Sequence, residues 1–323
     1  MAARIATFSF EVDSDRDERS EAHPYKFGRS GRRTNIPARV ISAADPWRGI
    51  LWMLGAVLSF AAMAISVRQL IRHMSVAEIL ELRTAVTLVM VSALAIAHGR
   101  AAIATRRLPL HSVRALVHLA GQYCWSYAIG ALTLATVFAI EFTMPIWVAL
   151  LAAAFLHERL NRGRIVQLVL GLAGVLIILR PGAGVFQPAA LVMLLGSLFY
   201  AGNMIFTKRL STTESGIAVI FWMSVVQLPV TVVAAWTSWM TPRLADVPWI
   251  VIIGAGSFAA HYSITHAMKL APATVVVPID FVRLPLIAVV GAVFYAEPFQ
   301  PLVIVGAAVI FAGTYYSLSR EVR

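Results

Sequence analysis

Val137-Phe-Ala-Ile-Glu-Phe-Thr-Met-Pro-Ile-Trp-Val-Ala-Leu-Leu-Ala-Ala-Ala-Phe-Leu-His-Glu158 is an apolar run with an acid, Glu141, well inside it. A helix crosses the hydrocarbon core of a bilayer in about 20 residues, so the run is long enough to span. An ionisable group at that depth costs roughly 2.5–3.5 kcal/mol on insertion scales, and it belongs in a bundle interior or beside a hydrated cavity. A second run, Val276-Val-Pro-Ile-Asp-Phe-Val-Arg-Leu-Pro-Leu-Ile-Ala-Val-Val-Gly-Ala-Val-Phe-Tyr-Ala-Glu297, sets Ile279-Asp280-Phe281 where the first has Ile140-Glu141-Phe142. One chain thus carries two copies of a spanning segment with an acid at the same place.

Composition agrees. Of the 323 residues 59% are hydrophobic and only 13% charged, against about 25% charged in soluble domains, which makes this an integral membrane protein. The net charge of +11 does not point to nucleic acid, because the bases lie mainly in the N-terminal tail and in short loops, where orientation signals belong. The single cysteine, Cys124, lies in an apolar segment and excludes a disulfide framework or a cysteine-based metal site. Residues 1–47 hold Glu11, Asp13, Asp15, Asp17, Glu18 and Glu21, then Arg29, Arg32, Arg33 and Arg39. They lack the apolar core of about 7–15 residues that a secretory signal needs. They read as a disordered cytosolic tail, with a start at Met53 in the first helix as the alternative.

Ten apolar segments follow, near 49–67, 76–97, 111–130, 134–156, 164–179, 189–207, 216–236, 248–268, 273–294 and 302–318. With the N-terminus in the cytosol, 21 of the 27 Lys and Arg fall on the cytosolic side. Arg68, Arg72, Arg180 and Arg243 fall on the other, and Arg83 and Arg283 lie inside segments. The positive-inside rule then puts both termini in the cytosol. Five spans per half is an odd number, so the second half enters the membrane upside down. The expected fold is an all-α integral membrane bundle of ten transmembrane helices in two inverted five-helix repeats, 48–180 and 181–323. Many secondary carriers are built this way, with the site near the midplane. Tyr123 and Tyr262 match at the spacing of 139 that relates Glu141 to Asp280, as do Gln122 with His261 and Tyr127 with His266. Gly55 in the first helix similarly answers Gly196 in the sixth.

At 1.5 Å rise per residue, Glu141 lies roughly 10 Å in from the outer end of its segment and Asp280 equally deep from the cytosolic end. The two acids thus stand either side of the midplane, one towards each access. Arg83 lies near the depth of Glu141, and Arg283 follows Asp280 by three positions on the same helix face. These pairs either mark a transport pathway or only neutralise each other and lock the halves together. Proton exchange at the acids is a further expectation. The third segment offers His118, Gln122, Tyr123, Ser126 and Tyr127; the eighth offers His261, Tyr262, Thr265 and His266. Tyr200, Asn203 and Thr207 in the sixth and Trp222 in the seventh extend the set. Polar tips among aromatic bodies line a site for a small amphipathic metabolite; the bland alternative is interhelical hydrogen bonding, worth about 0.6 kcal/mol each. Pro145, Pro278 and Pro285 interrupt helices beside the acids. Gly171 with Gly174, and Gly306 with Gly313, read as close helix packing and a homodimer face. No GxxxxGK[ST] loop, HExxH or GxSxG occurs, so no ATP, cofactor, metal or enzymatic site is expected.

Two five-helix halves, the fourth helix of the first running from Pro145 to Glu158-Arg159-Leu160 and that of the second from Pro285 to Glu297-Pro298-Phe299, resemble the EamA-type transporters of the drug/metabolite transporter superfamily. The resemblance covers about residues 48–318. It implies a bacterial inner-membrane carrier with both termini cytosolic, moving amino acids or related metabolites without ATP. Relatives range from amino-acid exporters to importers of S-adenosylmethionine or riboflavin. Two intramembrane acid–arginine sets suggest a charged or zwitterionic solute, its amino group at Glu141 or Asp280 and its carboxylate at Arg83 or Arg283. Proton-coupled export of an amino-acid-like metabolite is the leading expectation. Import of a nucleoside-like or vitamin-like solute is the first alternative and a non-transporting scaffold the second. An intramembrane enzyme ranks last, because His261 and His266 stand at i, i+5 rather than at the i, i+4 spacing of a ligand pair on a helix.

Overall fold

The computed structural model describes residues 46–155, 161–179, 187–210, 213–271 and 273–321. The tail up to residue 45, the Glu158-Arg159-Leu160 pattern and Arg180 lie outside these residues. The helices are α1 Pro46–Leu70, α2 Val76–His98, α3 Leu108–Ala131, α4 Leu134–Glu141, α5 Met144–Phe155 and α6 Arg162–Leu179. They continue as α7 Pro188–Leu210, α8 Gly216–Ala235, α9 Val247–Leu270, α10 Ala273–Asp280, α11 Arg283–Tyr295 and α12 Pro301–Glu321. Short 3-10 turns lie at Arg100–Ile103 and Leu244–Asp246.

Among the described residues, nine helical stretches are long and apolar enough to cross a membrane, with α4–α5 and α10–α11 each counting as one. The tenth crossing is α3. Its 24 residues meet the length but carry His111, Arg114, His118 and Gln122, all buried, which lower its mean hydropathy. Ser75 and Ser215 cap α2 and α8 in the same way, each accepting a hydrogen bond from the amide three residues on. The chain runs up and down, so connections gather at two ends. One end holds Arg68, Thr133, Gln187 and Glu297. At the other, Thr105 donates to Glu214 at 3.1 Å and Arg107 to the Arg209 carbonyl at 3.3 Å.

Neighbours repeat when the two groups of five crossings are exchanged. Helix α1 packs on α9 as α3 packs on α7, α2 on α9 as α3 on α8, and α1 on α10 as α7 on α4 and α5. The pairs α2·α8 and α6·α12 map onto themselves, as do the two broken crossings taken whole, which meet through α4 and α11. Lipid tails are as apolar as leucine, so such contacts hold by close van der Waals packing. Helices α6 and α12 meet backbone to backbone: a Cβ on Gly174 would stand 2.6 Å from the Gly306 carbonyl oxygen, and one on Gly306 2.7 Å from that of Gly174. Gly171 abuts Ile146 and Gly313 abuts Leu170 and Gln167. The close helix packing expected at these glycines is thus a contact within the chain.

The fourth and ninth crossings are broken at corresponding places. Helix α4 ends on Glu141 and α5 begins at Met144; α10 ends on Asp280 and α11 begins at Arg283. Proline explains both breaks. Pro145 lacks the N–H that would bond the Glu141 carbonyl, and Pro285 the one for Phe281, so each starts a new helix in its first turn instead. Thr143 stitches the first break, its hydroxyl donating to the Ile140 carbonyl at 2.7 Å. Pro278 lies inside α10. Helix α4 occupies the middle of the bundle, with Val137, Phe138, Ala139 and Ile140 buried and Phe138 at the heart of the core.

Candidate functional site

The two breaks bring their acids to one guanidinium. Arg283 Nη2 lies 3.2 Å from Glu141 Oε1 and 3.3 Å from Asp280 Oδ2. The expected pairing of Arg83 with Glu141 is not formed, because α2 packs on α8 and α9 rather than on α4. Equal depth on two helices does not make them neighbours. Nor do the acids face separate accesses: one nitrogen bridges both, so they share a single centre. Two carboxylates and one guanidinium leave a formal charge of −1 there.

Arg283 is 3% exposed. Its flat cation lies 4.5, 4.9 and 5.2 Å from the rings of Phe60, Phe138 and Phe142, within the range of cation–π attraction. Phe142 in turn stacks on Phe281 at 4.2 Å, ring on ring across the two breaks. Trp125 on α3 donates its indole N–H to Glu141 Oε2 at 2.8 Å. Glu141 thus has one oxygen on the tryptophan and one on the arginine. Beside it Ser197 on α7 lies 2.9 Å from the Thr143 hydroxyl and accepts from Trp147 at 3.0 Å, fixing the start of α5.

A second polar cluster lies between α2, α3, α7 and α9. Arg83 Nη2 donates to the Ser257 hydroxyl at 2.6 Å. His118 stands 5.9 Å from His261 and 5.7 Å from Tyr200, ring centre to ring centre. Gln227 donates to the Ala115 carbonyl at 2.8 Å and lies 3.3 Å from His118 Nδ1. Arg114 donates to the Thr207 hydroxyl at 2.7 Å and to the Val219 carbonyl at 3.3 Å. Gln122 is buried with its amide oxygen unpartnered, and the Asn203 amide oxygen is also buried without a partner.

Three residues expected at the site stand elsewhere. Tyr123 (46% exposed) shares a stripe of α3 with Val113, Leu116 and Tyr127, all turned outward from the bundle. Tyr262 (38% exposed) likewise lies with Val251 on an outer stripe of α9, where it packs on Trp52 and His266. Trp222 donates to the Ile103 carbonyl at 2.9 Å and pins the connection between α2 and α3. Trp125 went unnoticed in the sequence, although it continues the inward stripe Arg114, His118, Gln122 at the helical interval.

At the Glu297 end, Arg68 Nη2 bonds Glu297 at 2.7 Å and the Leu132 carbonyl at 2.6 Å, while the Leu134 amide donates to Glu297 at 2.8 Å. This latch ties α1, the start of α4 and the end of α11 beside a cavity of about 420 Å³. Burial raises the Glu297 carboxyl above its ordinary value, against the opposing pull of the Leu134 amide and Arg68. Its place beyond the end of α11 is set by Ala296, which takes the left-handed φ of 50°.

The profile of the EamA-like transporter family matches residues 47–180 and again 187–319. An S-adenosylmethionine uptake transporter of Rickettsia bellii is 25% identical over 273 residues, covering 84% of this chain and 94% of its own. A riboflavin transporter of Brucella anthropi is 29% identical, with 73% and 85% covered. A pseudopaline exporter of Pseudomonas aeruginosa is 26% identical, with 81% and 93% covered. One crystal structure superposes with a TM-score of 0.60 at 16% identity, over 85% of this chain and 98% of the other, a likeness of fold.

Proposed function

The chain belongs to the EamA-like transporter family, and on that premise we propose that it is a secondary carrier for a small metabolite bearing both a cation and a carboxylate. The observation that carries the reading is the centre at Arg283, where Glu141 and Asp280 converge from two broken helices. Broken spanning helices accompany carrier sites because freed backbone groups and half-helix ends then face the solute. The acids stand at the C-terminal ends of α4 and α10, where the helix dipole favours a cation. A solute ammonium or sulfonium satisfies the uncompensated negative charge and loosens Arg283 as it does so. Opening and closing around that exchange is alternating access.

The same proposal takes the two groups of five crossings as inverted repeats, supported by the reciprocal neighbours. It puts the Glu297 end outside and the Glu214 end and both termini in the cytosol of a bacterial inner membrane, supported by the distribution of Lys and Arg. Export of an amino-acid-like solute is the first reading of direction, and proton exchange at the acids supplies its drive. Uptake is the second, favoured by relatives named for S-adenosylmethionine and riboflavin uptake. Counterflow into proteoliposomes, with a panel of amino acids, S-adenosylmethionine, riboflavin and polyamines, tests the class. A carrier of this kind exchanges at least one amphoteric solute. Exchange of riboflavin alone, or of nothing in the panel, would overturn the reading.

A further inference from the structure

We infer that Arg83, with Ser257, Gln122 and the facing imidazoles of His118 and His261, forms an anion subsite for the carboxylate of the transported solute, separate from the acids that draw its cation. The inference rests on the carrier reading above and assigns the second half of its site. Arg83 is 4% exposed, and among the described residues its Nε has no partner and its one side-chain hydrogen bond goes to a neutral hydroxyl. Among the described residues no carboxylate lies within ion-pair distance of Arg83 or of Arg114. A buried guanidinium without a counter-ion is strongly unfavourable, and a solute that brings the missing negative charge removes the penalty on binding.

The neighbours suit that role. Gln227 donates towards His118 Nδ1, so a neutral His118 carries its proton on Nε2 and keeps a donor free. Gln122, buried and unsatisfied at its amide oxygen, turns its amide to offer N–H instead. Among the described residues no carboxylate pairs with Arg83, whereas two converge on Arg283.

Spacing along α3 sets the size of the solute. His118, Gln122 and Trp125 share the inward stripe, and Trp125 holds Glu141. Seven residues of helix separate His118 from Trp125, about 10 Å along the axis. The carboxylate and the drawn cation of the solute therefore stand several bonds apart, as in an amino acid whose side chain carries an amine or a sulfonium.

The rival role for Arg83 is structural, pinning α2 to α9 through Ser257. Thermal unfolding of the purified full-length chain in detergent separates the two. The parent and Arg83→Met are compared alone and with two matched pairs: S-adenosylmethionine against its decarboxylated form, and L-lysine against cadaverine. A carboxylate-bearing member is expected to raise the parent's unfolding temperature by about 3 °C or more at saturation, its decarboxylated partner much less, and Arg83→Met is expected to lose the difference. Arg83→Met alone is expected to unfold no earlier than the parent, because it removes an unpaired buried charge. Equal shifts from both members of a pair, discrimination surviving in Arg83→Met, or a fall of about 3 °C or more in the variant alone would each overturn the subsite. Silence of the parent towards all four compounds would instead count against the amino-acid-like class, and the unfolding temperature of Arg83→Met alone would then decide the subsite.

Discussion

Arg283 on α11 reaches across the centre of the bundle to Glu141 on α4, Nη2 to Oε1, at 3.2 Å. With Asp280 only 3.3 Å from the same nitrogen, the two halves of the chain share one cation. Removing it leaves two neighbouring carboxylates with little water. Breaking a buried pair costs about 3 kcal/mol, so Arg283→Gln is expected to unfold several degrees earlier than the parent. Arg283→Gln with Glu141→Gln is expected to recover much of that loss, since the second change removes one stranded charge. A non-additive cycle in thermal unfolding checks this; additive losses would speak against the shared centre.

The Trp125 indole fixes the other oxygen of Glu141 at 2.8 Å. Trp125→Phe keeps the ring and removes the donor. It is expected to cost about 1–2 kcal/mol of stability and to slow exchange in proteoliposomes severalfold. Unchanged exchange would mean that Glu141 needs no such alignment.

Much of this centre was legible in the sequence. The acids stood out because ionisable residues are rare at membrane depth, and Pro145 and Pro285 marked the breaks because proline cannot continue a helical ladder. Rotation and neighbourhood were not legible. Arg83 shares its depth with Glu141 yet faces α9, where Ser257 takes its hydrogen bond. Tyr123 and Tyr262 keep the repeat spacing, but periodicity alone does not say which stripe faces inward. Trp125 was hidden for the opposite reason: a tryptophan in an apolar segment looks like packing until a carboxylate is found beside it.

Helices α6 and α12 have no room at their crossing, where the Gly174 and Gly306 backbones touch. Gly306→Leu is expected to force them apart and to cost about 1–3 kcal/mol, the usual range for overpacking. Thermal unfolding in detergent reads the loss. A neutral result would mean that the crossing is loose.

Burial keeps the Glu297 carboxyl above its ordinary value of 4.5, so the folded chain holds this proton more tightly than the unfolded one. The sign follows from linkage: the group's contribution to stability is full below pH 4.5 and is lost as pH rises through the folded value. Glu297→Gln cannot ionise and is expected to lose that slope, even though it also gives up the bond to Arg68. The measurement is the difference between parent and variant unfolding temperatures from neutral pH down to about pH 4. A difference independent of pH would contradict the assignment.

Initial exchange rates of Glu141→Gln, Asp280→Asn and the double variant in proteoliposomes, taken with the panel solute that gives the largest counterflow signal, test the shared centre most directly. Each single change removes the negative charge that draws the solute, and a drop of at least about tenfold is expected, the equivalent of roughly 1.4 kcal/mol. Unfolding temperatures taken alongside confirm that each variant is folded; the double variant is expected to unfold several degrees earlier than the parent, since Arg283 is left without its counter-charges. A double variant that exchanges as fast as the parent would show that Arg283 and its two acids are a structural clasp and that transport runs elsewhere.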